Sequence, residues 1–217
     1  MLTRSRAAVL VLAGLTLAAC GNVHPGAAAT VDGQTISMKT LDKTAKAYCT
    51  LSIAGSEQQG ASEPDNSDVR RESVKTLVSL IVGRKLAKEH DVTVNPSVYE
   101  LTGQQKDQVA KAFPQEKDVE ELYNLIEKGQ ELSAISVALG AKSTGEAPTE
   151  ANSSQLAQVG QGEISKAFKA NDVSFSPRFG LSDSAKKVAV TGSLSVEPTD
   201  DLGADKADEL PKAQRCS

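Results

Sequence analysis

Two cysteines, Cys49 and Cys216, place the strongest constraint on how this chain can fold. They lie 167 positions apart, and Cys216 is one residue from the end of the 217-residue chain. A disulfide between them would force the early and the final parts of the chain to meet in space. Such bonds persist outside the cytoplasm and are rare inside it. The N-terminal segment carries the targeting signal of the chain, and it therefore decides whether the two cysteines are expected to form a disulfide.

The first 20 residues have the pattern of a bacterial export signal. Arg4 and Arg6 precede an apolar run of about a dozen residues, which is too short to span a bilayer as a helix. The sequence LAAC, which ends at Cys20, then resembles the lipobox of bacterial lipoproteins. That resemblance implies lipidation of Cys20 and an anchor rather than a membrane span. The alternative is an ordinary signal peptide in which Cys20 is coincidental.

Cleavage before Cys20 would remove 19 of the 217 residues and leave 198, a length that suits one domain. We divide the chain into a signal peptide (1–19), a lipidated tether (20–28) and one folded domain (29–217). Loss of the two signal arginines takes the net charge from −4 to −6. This acidic balance argues against nucleic acid as a partner and against electrostatic attraction to anionic lipid. We expect membrane contact through the lipid alone, on the extracytoplasmic face of the cell membrane.

With Cys20 assigned to lipidation, an even pair of cysteines remains, and we predict a Cys49–Cys216 disulfide. Closing so long a loop stabilises a fold by at most about 5 kcal/mol in the chain-entropy model. The pair could instead be two free buried thiols. A metal site is disfavoured, because His24 and His90 are the only histidines and nothing has ligand spacing.

The N-terminal part of the mature chain predicts a hairpin that runs into a helix. The pair Asp32-Gly33 is a strong signal for a two-residue turn in which both residues have positive φ. Ser37 is a plausible N-cap for a helix that continues to about Leu51. Residues 54–68, AGSEQQGASEPDNSD, are polar and rich in Gly, Ser and Pro, and they predict a loop.

The next segment predicts the clearest helix, capped by Ser67 or Asp68 and continuing to about residue 90. Its apolar residues repeat at helical spacing. A chaperone could offer such a stripe to unfolded clients, but burial in the core is the favoured interpretation.

The rest of the chain predicts further helices and then strands. Asn95 would cap a helix that runs to about Phe113, and Pro114 would start another. A helical piece at 131–139 would end at Gly140, and residues 142–154 have the composition of a linker. Weakly helical residues 154–170 precede two alternating segments, 173–180 and 186–198, which predict strands.

Three motifs in this order resemble the SurA/PrsA-type extracytoplasmic chaperones. They are VDGQTIS in the hairpin, VRRESVKTLVSLIVGRKLAKEHDVTVNPSVYE in the second helix and beyond, and DVSFSPRFGL near the end. The resemblance implies an α+β, mostly α fold, with a helical body and a small sheet formed by the N-terminal hairpin and the C-terminal strands. The proposed disulfide requires the same meeting of the two chain ends.

Members of that family often carry an inserted parvulin-type prolyl isomerase domain, which needs about 90 residues. Here the stretch between Ala141 and Ser153 has room for only about 13 residues, and neither histidine lies there. We therefore expect the isomerase to be absent.

Enzymatic chemistry is not expected, and neither is a cofactor. The chain has no G-x-S-x-G elbow, no P-loop and no H-E-x-x-H, and its carboxylates are scattered. Catalytic, cofactor-binding and metal-ligating residues are accordingly predicted to be none. Arg178 could bind a carboxylate or a client backbone, although packing of its stem and pairing with an acidic residue is the commoner role.

The resemblance implies a membrane-tethered, ATP-independent chaperone or holdase that binds unfolded or secreted polypeptides outside the cytoplasm. An exposed apolar patch of several hundred Å² would support that function. The alternative is a structural or interaction lipoprotein with one dedicated envelope partner, which would show a smaller patch.

Overall fold

The computed structural model describes residues 26–61, 64–188 and 215–216. Within these residues the chain forms five α-helices and a three-stranded antiparallel sheet, which confirms the mostly helical α+β class. The elements are β1 (Ala27–Val31), β2 (Gln34–Ser37), α1 (Met38–Gln59), α2 (Asn66–Glu89), α3 (Gly103–Ala112), α4 (Val119–Thr144), α5 (Ser153–Ala170) and β3 (Ser174–Phe175), with short 3-10 turns at Pro96–Val98 and Pro177–Phe179.

The sheet joins the N-terminal hairpin to the C-terminal part of the chain. Asp32 and Gly33 form the hairpin turn with φ of 48° and 78°, as predicted. The strand order is β2-β1-β3, and Ala29 on the central strand pairs with Phe175. The expected meeting of the hairpin with a C-terminal strand is therefore confirmed. The second predicted strand, residues 186–198, lies outside the described residues beyond Val188.

Helix α1 begins as predicted and ends later than predicted. The Ser37 side chain accepts a hydrogen bond from the Thr40 N–H, which confirms the N-cap. The helix continues to Gln59, and the expectation of a loop from residue 54 was wrong. Ala, Glu and Gln in this stretch favour helix, and Gly60, with φ of 63°, supplies the left-handed residue that ends it.

Helix α2 supplies more buried residues to the main core than any other element of the described chain, as the favoured interpretation of its apolar stripe required. Val74, Leu77 and Val78 are buried and pack with residues of β1, α4 and α5 in one main cluster. The helix starts at Asn66, and its cap is Asp65, whose carboxylate accepts from the Ser67 N–H. The predicted caps Ser67 and Asp68 instead lie inside the first turn.

The middle of the chain differs most from the prediction. The helix expected between Asn95 and Phe113 is broken, because Thr102 starts α3 anew through a capping box with Gln105. The two helices expected after Pro114 form one continuous α4 that passes through Gly140. Helix α5 was predicted to within one residue at its start and lies along α4.

Candidate functional site

An open groove of about 480 Å³ lies between α1, α2 and α4. Its apolar lining comes from α1 and α4, and its polar lining consists of hydroxyl and amide side chains. None of the described residues that line it is charged. The lining residues are Tyr48, Leu51, Ser52, Thr76, Leu125, Ile126, Gly129 and Gln130.

Helix α1 contributes three neighbouring residues to the groove. Its lining residues Leu51 and Ser52 are half-buried in the section where the helix leaves the main core. Next to the groove, Leu122 and Leu125 of α4 pack with Ala47 of α1 in an apolar cluster that is separate from the main core. This cluster forms one side of the base of the groove, and Tyr48 and Leu51 pack against it.

Ion pairs fix α1 to the start of α4 beside this cluster. Lys46 Nζ lies 3.0 Å from Glu116 Oε1 and 3.2 Å from Asp118 Oδ2. Hydrogen bonding from Lys46 lowers the pKa of the Glu116 carboxyl, and the Asp118 N–H and the Thr50 hydroxyl donate to it as well. The hydrogen bond to Glu116 likewise raises the pKa of Lys46. These contacts hold the two helices that form the walls of the groove.

The cysteine pair lies next to the groove. The Cys49 and Cys216 Sγ atoms are 2.07 Å apart, with their Cα atoms at 5.2 Å. Cys49 is buried in a small cluster with Ala45 and Val69, and Tyr48 packs against the same cluster. The C-terminal Cys216 is thus brought to α1 as the sequence predicted, one residue from a groove-lining side chain.

A second cavity, of about 370 Å³, lies between the end of α2, the following loop and α4. Its lining mixes charged side chains with apolar ones. Arg84 donates from Nε to Glu131 Oε1 at 2.6 Å and pairs with Oε2 through its terminal nitrogen. This pairing raises the pKa of Arg84. Because Arg84 and Glu131 already pair with each other, neither is free to bind a ligand, and we take the apolar groove as the candidate site.

The remaining predicted positions are scattered. Cys20 and His24 lie outside the described residues, and His90 is an exposed residue at the end of α2. Arg178 is exposed on a 3-10 turn and makes no ion pair with the described residues, so the expected pairing with an acidic residue is not found there. Gly180 ends this turn with φ of 56°, a left-handed conformation that glycine adopts readily.

Neither a metal centre nor a membrane helix is found in the described part of the chain. Residues 26–61, 64–188 and 215–216 contain no group of three or more His, Cys, Asp or Glu side chains that could hold a metal ion. In those same residues, no helix combines the length and the apolar character that a membrane span needs.

No protein-family model, curated protein or solved structure matches the chain. The resemblance to SurA/PrsA-type chaperones therefore remains a hypothesis that rests on the three motifs.

The groove itself was missed at the sequence level. Residues 54–59 at the end of α1 were taken for a loop because Gly55 and Gly60 flank a polar stretch, whereas Tyr48 and Leu51 lay within the predicted helix. Tyr48 and Leu51, three positions apart, were the available signal that an apolar face continues towards the end of this helix.

Proposed function

We propose that this protein is a lipid-anchored, extracytoplasmic binding module that takes a short apolar segment of another polypeptide into the groove between α1, α2 and α4. The groove carries the proposal. Its apolar base can bury side chains, and the Ser52, Thr76 and Gln130 side chains offer hydrogen bonds along its edge. Binding of this kind needs no ATP and no covalent chemistry.

A polypeptide is favoured over a small molecule because the groove is open along the surface and does not enclose its contents. The lining carries no charge, so the segment that enters would present apolar or uncharged side chains. An amphipathic helix laid between α1 and α4 would satisfy both requirements.

One observation favours a dedicated partner over a general holdase. Among the described residues, Val98 and Val188 are the only large apolar residues that are mainly exposed, with exposed fractions of 61% and 50%. A protein that binds many unfolded clients would be expected to expose a wider apolar patch. The general holdase is kept as the second candidate because the three family motifs imply it.

Gly129 offers a sharp test of the groove. A Cβ added there would meet nothing within 4 Å, so Gly129→Phe should fill the groove without disturbing the core. Gly162 on α5 has the same open surroundings, lies away from the groove and provides the matched control Gly162→Phe. Both changes replace a glycine within a helix, where nearly every other residue has a higher helix propensity than glycine.

The experiment places a photo-crosslinking amino acid at Gln130 in the lipidated protein in its native envelope. We expect one discrete adduct, which disappears with Gly129→Phe and persists with Gly162→Phe. An adduct pattern that is identical in all three proteins would overturn the proposal.

A second assay separates the two candidates. Light scattering of two unrelated unfolding proteins, at stoichiometric ratios, reports general holdase activity. Suppression of both that is lost in Gly129→Phe would assign the groove to clients in general. A discrete adduct without suppression would assign it to one partner.

A further inference from the structure

The chain enters its folded body at one end of the sheet. Gly26 is the first described residue, and its carbonyl accepts a hydrogen bond from the Met38 N–H at 2.8 Å. The start of α1 therefore lies at the same end. Cys20 precedes Gly26 by six positions, a length of chain that spans about 20 Å at most when extended. If Cys20 carries the lipid of the proposed function, this end of the domain is held close to the bilayer.

The C-terminal part of the described chain reaches the same end. Strand β3 runs antiparallel to β1, and the Ser176 N–H donates to the Ala28 carbonyl at 2.9 Å. The chain then turns through Pro177–Phe179 beside the beginning of β1. The following loop, residues 180–188, closes on itself, because the Val188 N–H donates to Gly180 and the Ser182 N–H to Lys186.

The start of α2 completes this end of the domain. Lys187 Nζ lies 3.6 Å from Asp68 in the first turn of α2. Arg70, in the same region of α2, pairs with Asp42 of α1 at 2.6 Å. The first turns of α1 and α2 and the loop 180–188 are thus linked to one another around the entry point of the chain.

These elements bring together an excess of positive charge. Lys39, Arg178 and Lys186 are exposed and make no ion pair with the described residues. We call these three side chains the basic surface. The other cations at this end, Arg70, Arg71 and Lys187, pair with Asp42 or Asp68. Asp65 at the start of α2 lies beside Arg215, and Asp183 is the remaining carboxylate of the loop. The positive charge is local, since the mature chain as a whole is acidic.

We propose that the basic surface binds the headgroups of anionic phospholipids. Charges interact over a Debye length of about 8 Å at physiological salt, so the groups next to the membrane outweigh the distant net charge. Each basic side chain near an anionic bilayer raises partitioning about five-fold, so three would raise it on the order of 100-fold. The folded domain would then lie on the membrane with the end that contains Gly26 facing the bilayer. This orientation rests on the lipid anchor of the proposed function; binding to anionic headgroups does not.

The test uses the mature chain with Cys20→Ser, so that no acyl chain contributes to binding. Vesicles of phosphatidylcholine, with or without about 30% phosphatidylglycerol, are mixed with the protein at low salt and recovered by flotation. The variant Lys39→Gln/Arg178→Gln/Lys186→Gln removes the basic surface. The control Lys88→Gln/Lys111→Gln/Lys142→Gln removes the same charge from exposed lysines on α2, α3 and α4.

We expect binding that requires phosphatidylglycerol, that falls at high salt, and that the basic-surface variant loses while the control retains it. Equal losses in both triple variants would overturn the proposal, and so would binding that ignores phosphatidylglycerol. Gly129→Phe should bind vesicles like the parent chain. The groove and the basic surface can therefore fail independently.

Discussion

Gly160 of α5 lies directly against the backbone of Ser136 on α4: a Cβ added to Gly160 would stand 1.8 Å from the Ser136 carbonyl oxygen. The contact is reciprocal, because a Cβ on Gly140 of α4 would stand 2.0 Å from the carbonyl oxygen of Leu156 on α5. In both cases the obstacle is backbone, which cannot swing aside as a flexible side chain can. The two glycines therefore set how closely α4 and α5 approach.

Replacement of either glycine should separate the two helices. We expect Gly140→Ala and Gly160→Ala each to lower the free energy of unfolding by about 3 kcal/mol or more, beyond the gain in helix propensity. Urea unfolding followed by circular dichroism measures the change. Gly162→Ala, with nothing within 4 Å of the added Cβ, should instead stabilise by about 0.5–1 kcal/mol. Equal effects at positions 160 and 162 would contradict the close approach.

The same glycines explain where sequence-level reasoning succeeded and where it failed. The hairpin and the N-cap of α1 could be predicted because Asp32-Gly33 and Ser37 act on their immediate neighbours. Gly140 suggested a helix end, but α4 continues to Thr144, since at this position glycine serves packing against α5. Tertiary contact of this kind leaves no local signal.

The candidate site was beyond prediction for a related reason. The groove brings together Leu51, Thr76 and Ile126 from three helices that are distant in sequence. Their meeting depends on how α1, α2 and α4 pack against one another, which no local pattern encodes. The approach of Cys49 and Cys216 could be predicted because the chemistry of an oxidising compartment pairs cysteines regardless of their separation.

The cysteine pair should contribute strongly to stability. Cys49→Ser/Cys216→Ser in the mature chain is expected to lower the free energy of unfolding by several kcal/mol, with about 5 kcal/mol as the upper bound for so long a loop. Thermal unfolding with and without a dithiol reductant measures it. Reductant should destabilise the parent chain and leave the double variant unchanged. A parent chain that does not respond, and whose thiols react freely, would indicate two reduced cysteines.

Replacement of Ser73 of α2 by alanine should stabilise the fold. The serine side chain is fully buried, and its hydroxyl oxygen has no hydrogen-bond partner among the described residues. Removing an unsatisfied buried polar group without leaving a large cavity gains about 1 kcal/mol, so Ser73→Ala should raise the unfolding midpoint. Ser136 is equally buried, but its hydroxyl donates to the Leu132 carbonyl at 2.8 Å. Ser136→Ala should therefore bring no comparable gain, and a similar rise in both variants would count against this explanation.

The link between α1 and the start of α4 should make stability depend on acid. The hydrogen bond from Lys46 lowers the pKa of Glu116 in the folded state below its ordinary value of 4.5. A carboxyl with a depressed folded-state pKa binds protons more readily when unfolded. Its contribution is therefore present above about pH 5 and is lost as the pH falls through the folded-state pKa.

We expect Glu116→Gln to lower the unfolding midpoint in urea at pH 7 and to flatten the decline in stability as the pH falls below about 5. Glu120→Gln is the control, because that side chain is exposed in the first turn of α4 and forms none of the ion pairs described for Glu116. High salt should shrink the difference between the parent and Glu116→Gln, since the Lys46 end of the pair is open to solvent. Parallel pH profiles for the parent and Glu116→Gln would show that this carboxyl does not couple the two helices to acid.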